Sequence, residues 1–311
     1  MMDKGVIARP FDNNYKKSAP VDVGEFKWTV QNKNGCEIKD PGKRQSCEII
    51  SCQPKEESRT ILWSCSVLGM ISATNKARNN SVVLHLWNAS FGNRSTDFHA
   101  HIDHSVYYGE RNKELLEVPV KIVDQFYADL SDPNNPLIKN AEDVAKFKID
   151  GAEIYTPKKM LNAHSPFFAA YFKDNFKEAA GGFYELNDIS LEDFLHFLGI
   201  VHGLKVHIDE NCVESLLKLG DFFQCKLVLD RCEEFIKTAP VKRLPPLKKL
   251  QLAEQFKLLL TLADAIEQMP LEEMKTLCAN QGLVGFSELA RECVLMKLCM
   301  KQPESDVFFV D

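Results

Sequence analysis

The sequence predicts a multidomain fold: an N-terminal antiparallel β-sandwich, then an α+β domain, then a C-terminal helical extension. Three observations predict it. Apolar and polar residues alternate with period two in short runs over residues 21–130, with no helical pattern between the runs. The stretch LSDPNNP at 130–136 gathers two prolines, two asparagines and one aspartate, which favour turns over helix or strand. Beyond it, apolar residues recur three or four apart in one segment after another. The length of 311 residues agrees with more than one domain at roughly 150 residues each. A domain of that size buries a core without disulfides or metal.

Residues 1–20 are polar, carry Pro10 and Pro20, and read as a flexible arm. Phe26, Trp28 and Val30 then alternate with Glu25, Lys27 and Thr29, and Ile61, Trp63, Cys65 and Val67 alternate with Leu62, Ser64 and Ser66. SVVLHLW (81–87) and VPVKIV (118–123) are rich in residues that suit a pleated, half-buried surface. Turn-rich NKNG, DPGK, TNKARNN and FGNRS separate the runs, so 21–130 reads as a sandwich.

After the turn segment, AKFKIDGAEIYTP predicts a hairpin about Asp150-Gly151, and Pro157 is expected to open a helix. GGFYEL predicts another short strand. In SLEDFLHFLGIVHG, Ser190 stands three residues before Asp193, close to a capping box, and Leu191, Phe194, Leu195, Leu198 and Val201 make an apolar stripe. Val213, Leu216, Leu217 and Gly220 share one helical face, and Leu227, Cys232, Phe235 and Ile236 another. APVKRLPPLKKL (239–250) is a second linker, helical pattern runs over 241–302, and the acidic, apolar tail 303–311 is expected to be mobile.

Composition narrows the function. Net charge is -6 and no long run of one polarity occurs, which argues against nucleic acid and anionic membrane. No apolar stretch approaches the ~20 residues of a membrane span. MMDKGVIARPFDNNYKK has no apolar stretch of the secretory kind, which predicts a cytoplasmic or nuclear chain, unglycosylated at Asn79, Asn88 and Asn93. The ten cysteines include no C-x-x-C pair and read as reduced, buried apolar residues. No G-x-S-x-G, P-loop or G-x-G-x-x-G occurs, and no cofactor is expected. DFHAHIDH (97–104) is the one metal candidate: His99, His101 and Asp103 would share a strand face. Side chains two residues apart on a strand stand ~7 Å apart, wide for one ion, so exposed histidines are the plainer reading.

SPFFAAYFKDNF (165–176) puts Phe168, Phe172 and Phe176 on one stripe and Phe167 and Tyr171 on the next. Either both stripes are buried in the protomer or its dimer, or one is left for a partner.

At DVAKFKID, KKMLNAHSPFFAAYF, DISLEDFLHFLGIVHG and ESLLKLGDFFQCKLVLDRCEEFI the chain resembles a BTB (POZ) domain, expected over 137–238. With the β-rich segment opening on FKWTV, the order resembles MATH–BTB proteins of the nematode type, the sandwich being MATH/TRAF-like and divergent. Pro157 stands where the BTB pattern has His, and His202 where it has Tyr. The resemblance implies a non-catalytic adaptor: a BTB homodimer that engages the cullin-3 ubiquitin ligase scaffold, with a substrate protein held by the sandwich. A dimerising scaffold without cullin is the alternative. It implies dimer or core roles for Asp143, Met160, Leu161, Ser165 and Phe168, and a cullin-facing surface at Tyr171, Phe172, Lys173, Asp174 and Phe176. A hydrophobic-x-Glu motif of cullin binders falls on Tyr171, Phe172 and Lys173, so lysine replaces the carboxylate. The aromatic Trp-Gly-Phe stretch of substrate-binding MATH domains has no counterpart here.

Overall fold

The computed structural model describes residues 3–10, 17–33, 45–75, 80–103, 115–173, 183–280 and 283–300. They fall into two compact units, Met1–His207 and Ile208–Asp311.

The first unit opens with strands β1 (Lys4–Pro10), β2 (Val21–Val23), β3 (Phe26–Lys33), β4 (Gln45–Pro54), β5 (Ile61–Asn75), β6 (Asn80–Gly92), β7 (Asp97–Asp103) and β8 (Leu115–Asp129). They make two four-stranded sheets, β1-β8-β5-β6 and β2-β3-β4-β7, every pairing antiparallel. The inward side chains of both sheets form one core. Within it Phe26 lies 5.3 Å from Trp63, and Trp28 meets Phe91 edge-on at 5.3 Å. The period-two pattern is thus a sandwich.

Two expectations change. Lys4–Pro10, read as loose arm, pairs with β8 along its length and buries Ile7 and Arg9. Arg9 Nη2 donates to Glu48 Oε1 at 2.6 Å, and Asn32 Nδ2 donates to the same oxygen at 2.8 Å, so a buried charge pair joins β1 to the other sheet. The arginine and the prolines hide this strand from a hydropathy reading. Second, β5 is not half-buried at its start: Ile61 to Cys65 are buried on both faces, because helix α3 (Leu191–Val201) covers the outer one. Ser90 and Ser66 bond across β6 and β5 at 2.9 Å further along that face. Asn93 accepts from Trp63 N and donates to Ile61 O, which gives that sequon a structural task.

After the turns of 130–136, strands β9 (Val144–Ile149), β10 (Ala152–Pro157) and β11 (Tyr184–Leu186) form a sheet in the order β10-β9-β11, with β11 parallel to β9. The turn segment is bonded into place: Tyr155 N donates to Leu130 O, and Asn135 Nδ2 donates to Tyr155 O. Asp150 and Gly151 both have positive φ, 49° and 75°, the primed turn that Asp-Gly predicts. Pro157 ends β10 rather than opening the helix, which begins at Lys158. Ser190 is the N-cap of α3 but its hydroxyl makes no cap bond; Asp193 instead pairs with Arg94 Nε at 3.2 Å.

The second unit holds α4 (Val213–Phe222), α5 (Lys226–Thr238), α6 (Pro246–Gln255), α7 (Leu259–Gln268), α8 (Leu271–Ala279) and α9 (Glu288–Met300). The expected inward faces of α4 and α5 are buried at Val213, Leu216, Leu217, Gly220, Cys232 and Ile236, with Phe235 and Leu227 half-buried. Two buried ammonium groups close helix ends. Lys249 Nζ donates to Ala239 O at 2.7 Å, just past α5. Lys297 Nζ donates to Ile266 O at 2.6 Å and to Met269 O at 3.1 Å, carbonyls at the end of α7. Cys47, Cys52, Cys65, Cys212, Cys225 and Cys232 are buried as expected, while Cys278 and Cys293 are half-buried and Cys299 is exposed. Cys36 and the tail 303–311 lie outside the described residues.

Lys297→Met should destabilise the chain by ~1–3 kcal/mol, read as a lower urea midpoint, because orphaned helix carbonyls keep their desolvation cost. A second prediction concerns His202, whose Nε2 lies 3.2 Å from Thr156 Oγ1. Burial, with His164 nearby, lowers its pKa from 6.5 to about 4. Between those pH values the unfolded chain takes up a proton that the folded chain refuses. Stability should therefore fall as pH drops from 6.5 to about 4, by up to ~3 kcal/mol, and His202→Gln should flatten the loss in urea melts across that range.

Candidate functional site

The site is built on α1 (Lys158–His164) and α2 (Pro166–Tyr171). The sequence makes the break between them. Ser165 is extended at φ -140° and its Oγ accepts from Phe168 N at 3.1 Å, so it caps α2, while Pro166 occupies the first turn. Asp143, after a turn that Asn140 caps, accepts from Lys159 N at 3.0 Å and satisfies one of the first N–H groups of α1. Both polar residues of the motif thus fix where the two helices start.

With the start fixed, the rings divide. Phe168 is fully buried, meets Phe147 of β9 edge-on at 5.8 Å and stacks on Phe172 at 5.6 Å. Phe147 also touches Phe194 of α3 at 5.5 Å and Tyr184 of β11 at 5.7 Å, so it is the hub of the cluster. Phe172 is half-buried, 5.1 Å from Tyr184, with Lys158 Nζ 5.9 Å from its ring centre. Phe167 and Tyr171 form the second stripe: both half-buried and stacked on each other at 5.4 Å. Tyr171 reaches Tyr184 at 5.0 Å, and burial raises the Tyr184 phenol pKa. Lys173 is exposed. Asp174 and Phe176 lie outside the described residues.

The remaining candidates fall as follows. Leu161 is fully buried within the protomer and Met160 half-buried. Ser165 is buried at its cap position, and Asp143 is half-buried. His99 and His101 stand on β7 with exposed side chains, His99 Nδ1 lying 3.8 Å from Cys47 Sγ; the side chain of Asp103 lies outside the described residues. Among the described residues no three His, Cys, Asp or Glu side chains gather as metal ligands. The sequence reading missed Phe147 and Tyr184 as partners of the α2 rings. The signal was present, since both are inward positions of short strands.

The arrangement is a packed ring cluster with one partly buried edge, ending in the exposed Lys173. It offers a surface for protein contact.

The comparisons decide the family of this region. The BTB/POZ domain model matches residues 142–239. Residues 142–239 form a BTB/POZ domain. This BTB domain covers the β9–β11 sheet and α1–α3 of the first unit and α4 and α5 of the second. Along 286 residues the chain is 24% identical to BTB and MATH domain-containing protein 38 of Caenorhabditis elegans, covering 89% of this chain and 72% of that protein. It is 29% identical over 129 residues to BTB and MATH domain-containing protein 15 of the same organism, 42% of this chain and 41% of the relative. Kelch-like protein 26 of Homo sapiens shares 33% identity over 82 residues, 26% of this chain and 13% of that protein. The succession of antiparallel sheets, BTB domain and C-terminal helices is consistent with the MATH–BTB layout.

The geometry orders three substitutions. Phe168→Ala should cost ~3–5 kcal/mol as a buried-ring deletion. Ser165→Ala should cost ~1 kcal/mol as a lost cap. Phe167→Ala should cost less than Phe168→Ala, since its ring is only partly buried; urea unfolding of the three variants checks the order.

Proposed function

We propose that this chain is a non-catalytic, dimeric BTB adaptor that brings a substrate protein, held by its sandwich, to a cullin-3 ubiquitin ligase in the cytoplasm or nucleus. One observation carries the reading: the Phe167–Tyr171 stripe of the BTB domain stacks on itself and on Tyr184 and is only partly buried. A preorganised aromatic edge loses little conformational freedom on binding. The dimer would come from Met160 and its neighbours on α1, and two linked copies raise the effective concentration of substrate and ligase for each other. The match to a Kelch-like relative supports the adaptor class.

The electrostatics set the strength. Lys173 stands where cullin binders of this family carry Glu, and it is exposed. An unmatched charge at a contact costs up to several kcal/mol. Native binding to the cullin-3 N-terminal region should therefore be weak in calorimetry, and Lys173→Glu should tighten it at least tenfold. Tyr171→Ala should abolish it while sedimentation still shows a dimer. The scaffold alternative wins if neither the native chain nor Lys173→Glu binds cullin-3. A monomer at micromolar concentration removes the dimer from the reading.

A further inference from the structure

The sheet β1-β8-β5-β6 turns Ile7, Val67, Val118 and Val120 inward, so the residues between them face out. Half-solvated sheets are polar on that side. Here the outward row is apolar: Val6 is 50% exposed, Met70 37% and Leu86 71%, with Pro119 between Val6 and Met70 in the register. Leu68, 49% exposed, extends the patch in the next row. These side chains line an open groove of about 730 Å³. Single exposed apolar residues need no explanation, but a contiguous apolar patch with a groove marks an interaction surface.

One end of the groove is charged. Lys4 and Lys121 face each other directly across β1 and β8, and both line the groove. Like charges placed opposite each other destabilise a sheet. Among the described residues no carboxylate lies within 4.0 Å of either ammonium. The carboxylate on the same face, Glu117, accepts from Thr74 Oγ1 at 2.5 Å. The folded chain thus keeps an unfavourable pair of cations beside an apolar floor, an arrangement that an incoming carboxylate relieves.

We propose that this groove binds an extended segment of a partner polypeptide carrying two aliphatic or aromatic side chains next to a carboxylate. The size fits that occupant. Three strand spacings separate β1 from β6, about 14 Å, the span of roughly four extended residues. The volume is that of a pocket for a few side chains, while a stable dimer of two such faces needs roughly 1,600 Å² of buried surface. The proposal takes its purpose from the adaptor reading, since the segment would belong to the recruited protein, but its test is separate.

The test pans a random heptapeptide library against the immobilised full-length chain. Selected peptides should pair apolar residues with Asp or Glu. A selected peptide, synthesised with a fluorophore, should bind Leu86→Glu at least tenfold more weakly in polarisation titrations. Lys121→Glu, which would pair with Lys4 across the strands, should abolish the preference for Asp or Glu in the selected peptides. Both positions point outward, and Leu86→Asn serves as a milder variant if Leu86→Glu fails to fold. Selection without an acidic–apolar pattern overturns the proposal, as do peptides indifferent to both substitutions. A drop in oligomeric state of Leu86→Glu in sedimentation assigns the face to a second copy and also overturns it. Peptide binding in a chain that does not bind cullin-3 leaves the groove standing and removes the adaptor reading instead.

Discussion

The first unit depends on the burial of α3 from every side. Leu191 and every residue from Phe194 to Val201 are buried, His196 included. A helix apolar all round has no solvent face, so it must be enclosed. One side packs on Phe147 through Phe194, which places it behind the β9–β11 sheet and the α2 rings. Another lies on the outer face of β5, where a Cβ on Gly199 would stand 3.0 Å from Val206 and 3.8 Å from Leu62. Gly92 in β6 faces the same Val206, also at 3.0 Å. Two glycines thus let helix, strand and the Val206 loop approach closely. Arg94, paired with Glu192 at 2.8 Å and with Asp193, adds an anchor at the start of the helix. Sandwich and BTB sheet therefore share a core through this helix, although the turn-rich 130–136 stretch separates them in sequence.

That sharing explains what was legible in the sequence and what was not. Period two revealed β3 because its outer face meets water, and Asp150-Gly151 revealed the β9–β10 turn because only left-handed residues suit it. The start of β5 misled, since Leu62 and Ser64 look like an outward face until α3 is placed on it. No local pattern encodes a cover contributed by residues more than a hundred positions away. β1 was hidden for a different reason: its inward Arg9 is neutralised by Glu48, and a buried ion pair reads as polar surface in one sequence. For the site, the split between buried Phe168 and half-open Phe167 and Tyr171 follows from helical spacing, but which stripe faced inward depended on Phe147.

The ring cluster also shows how one short motif sets a core ring and a partly buried edge together. Ser165 costs nothing to bury because its hydroxyl satisfies Phe168 N, and the cap sets the rotation of α2. That rotation puts Phe168 in the core and leaves Tyr171 one turn later at the edge, stacked on Phe167. The edge residues need no separate support: Tyr184, held by β11, backs Tyr171 and Phe172 alike. A substitution at Tyr171 removes an edge ring, while one at Phe168 removes the hub's partner.

The helical unit solves its polar problem by another route. Its linker is rich in proline and its helices are short, 9 to 13 residues each. Side-chain caps are absent at the N-termini of α4 to α8. At the C-termini of α5 and α7 the missing partners come from Lys249 and Lys297, long side chains rooted on α6 and α9. A buried lysine is costly alone, and burial does lower the pKa of Lys249. Placed at a helix C-terminus, the same charge meets the negative end of the helix dipole and carbonyls that would otherwise be orphaned. The two lysines therefore act as cross-links between consecutive and distant helices, and the unit holds its shape through polar bonds at helix ends as well as through its apolar faces.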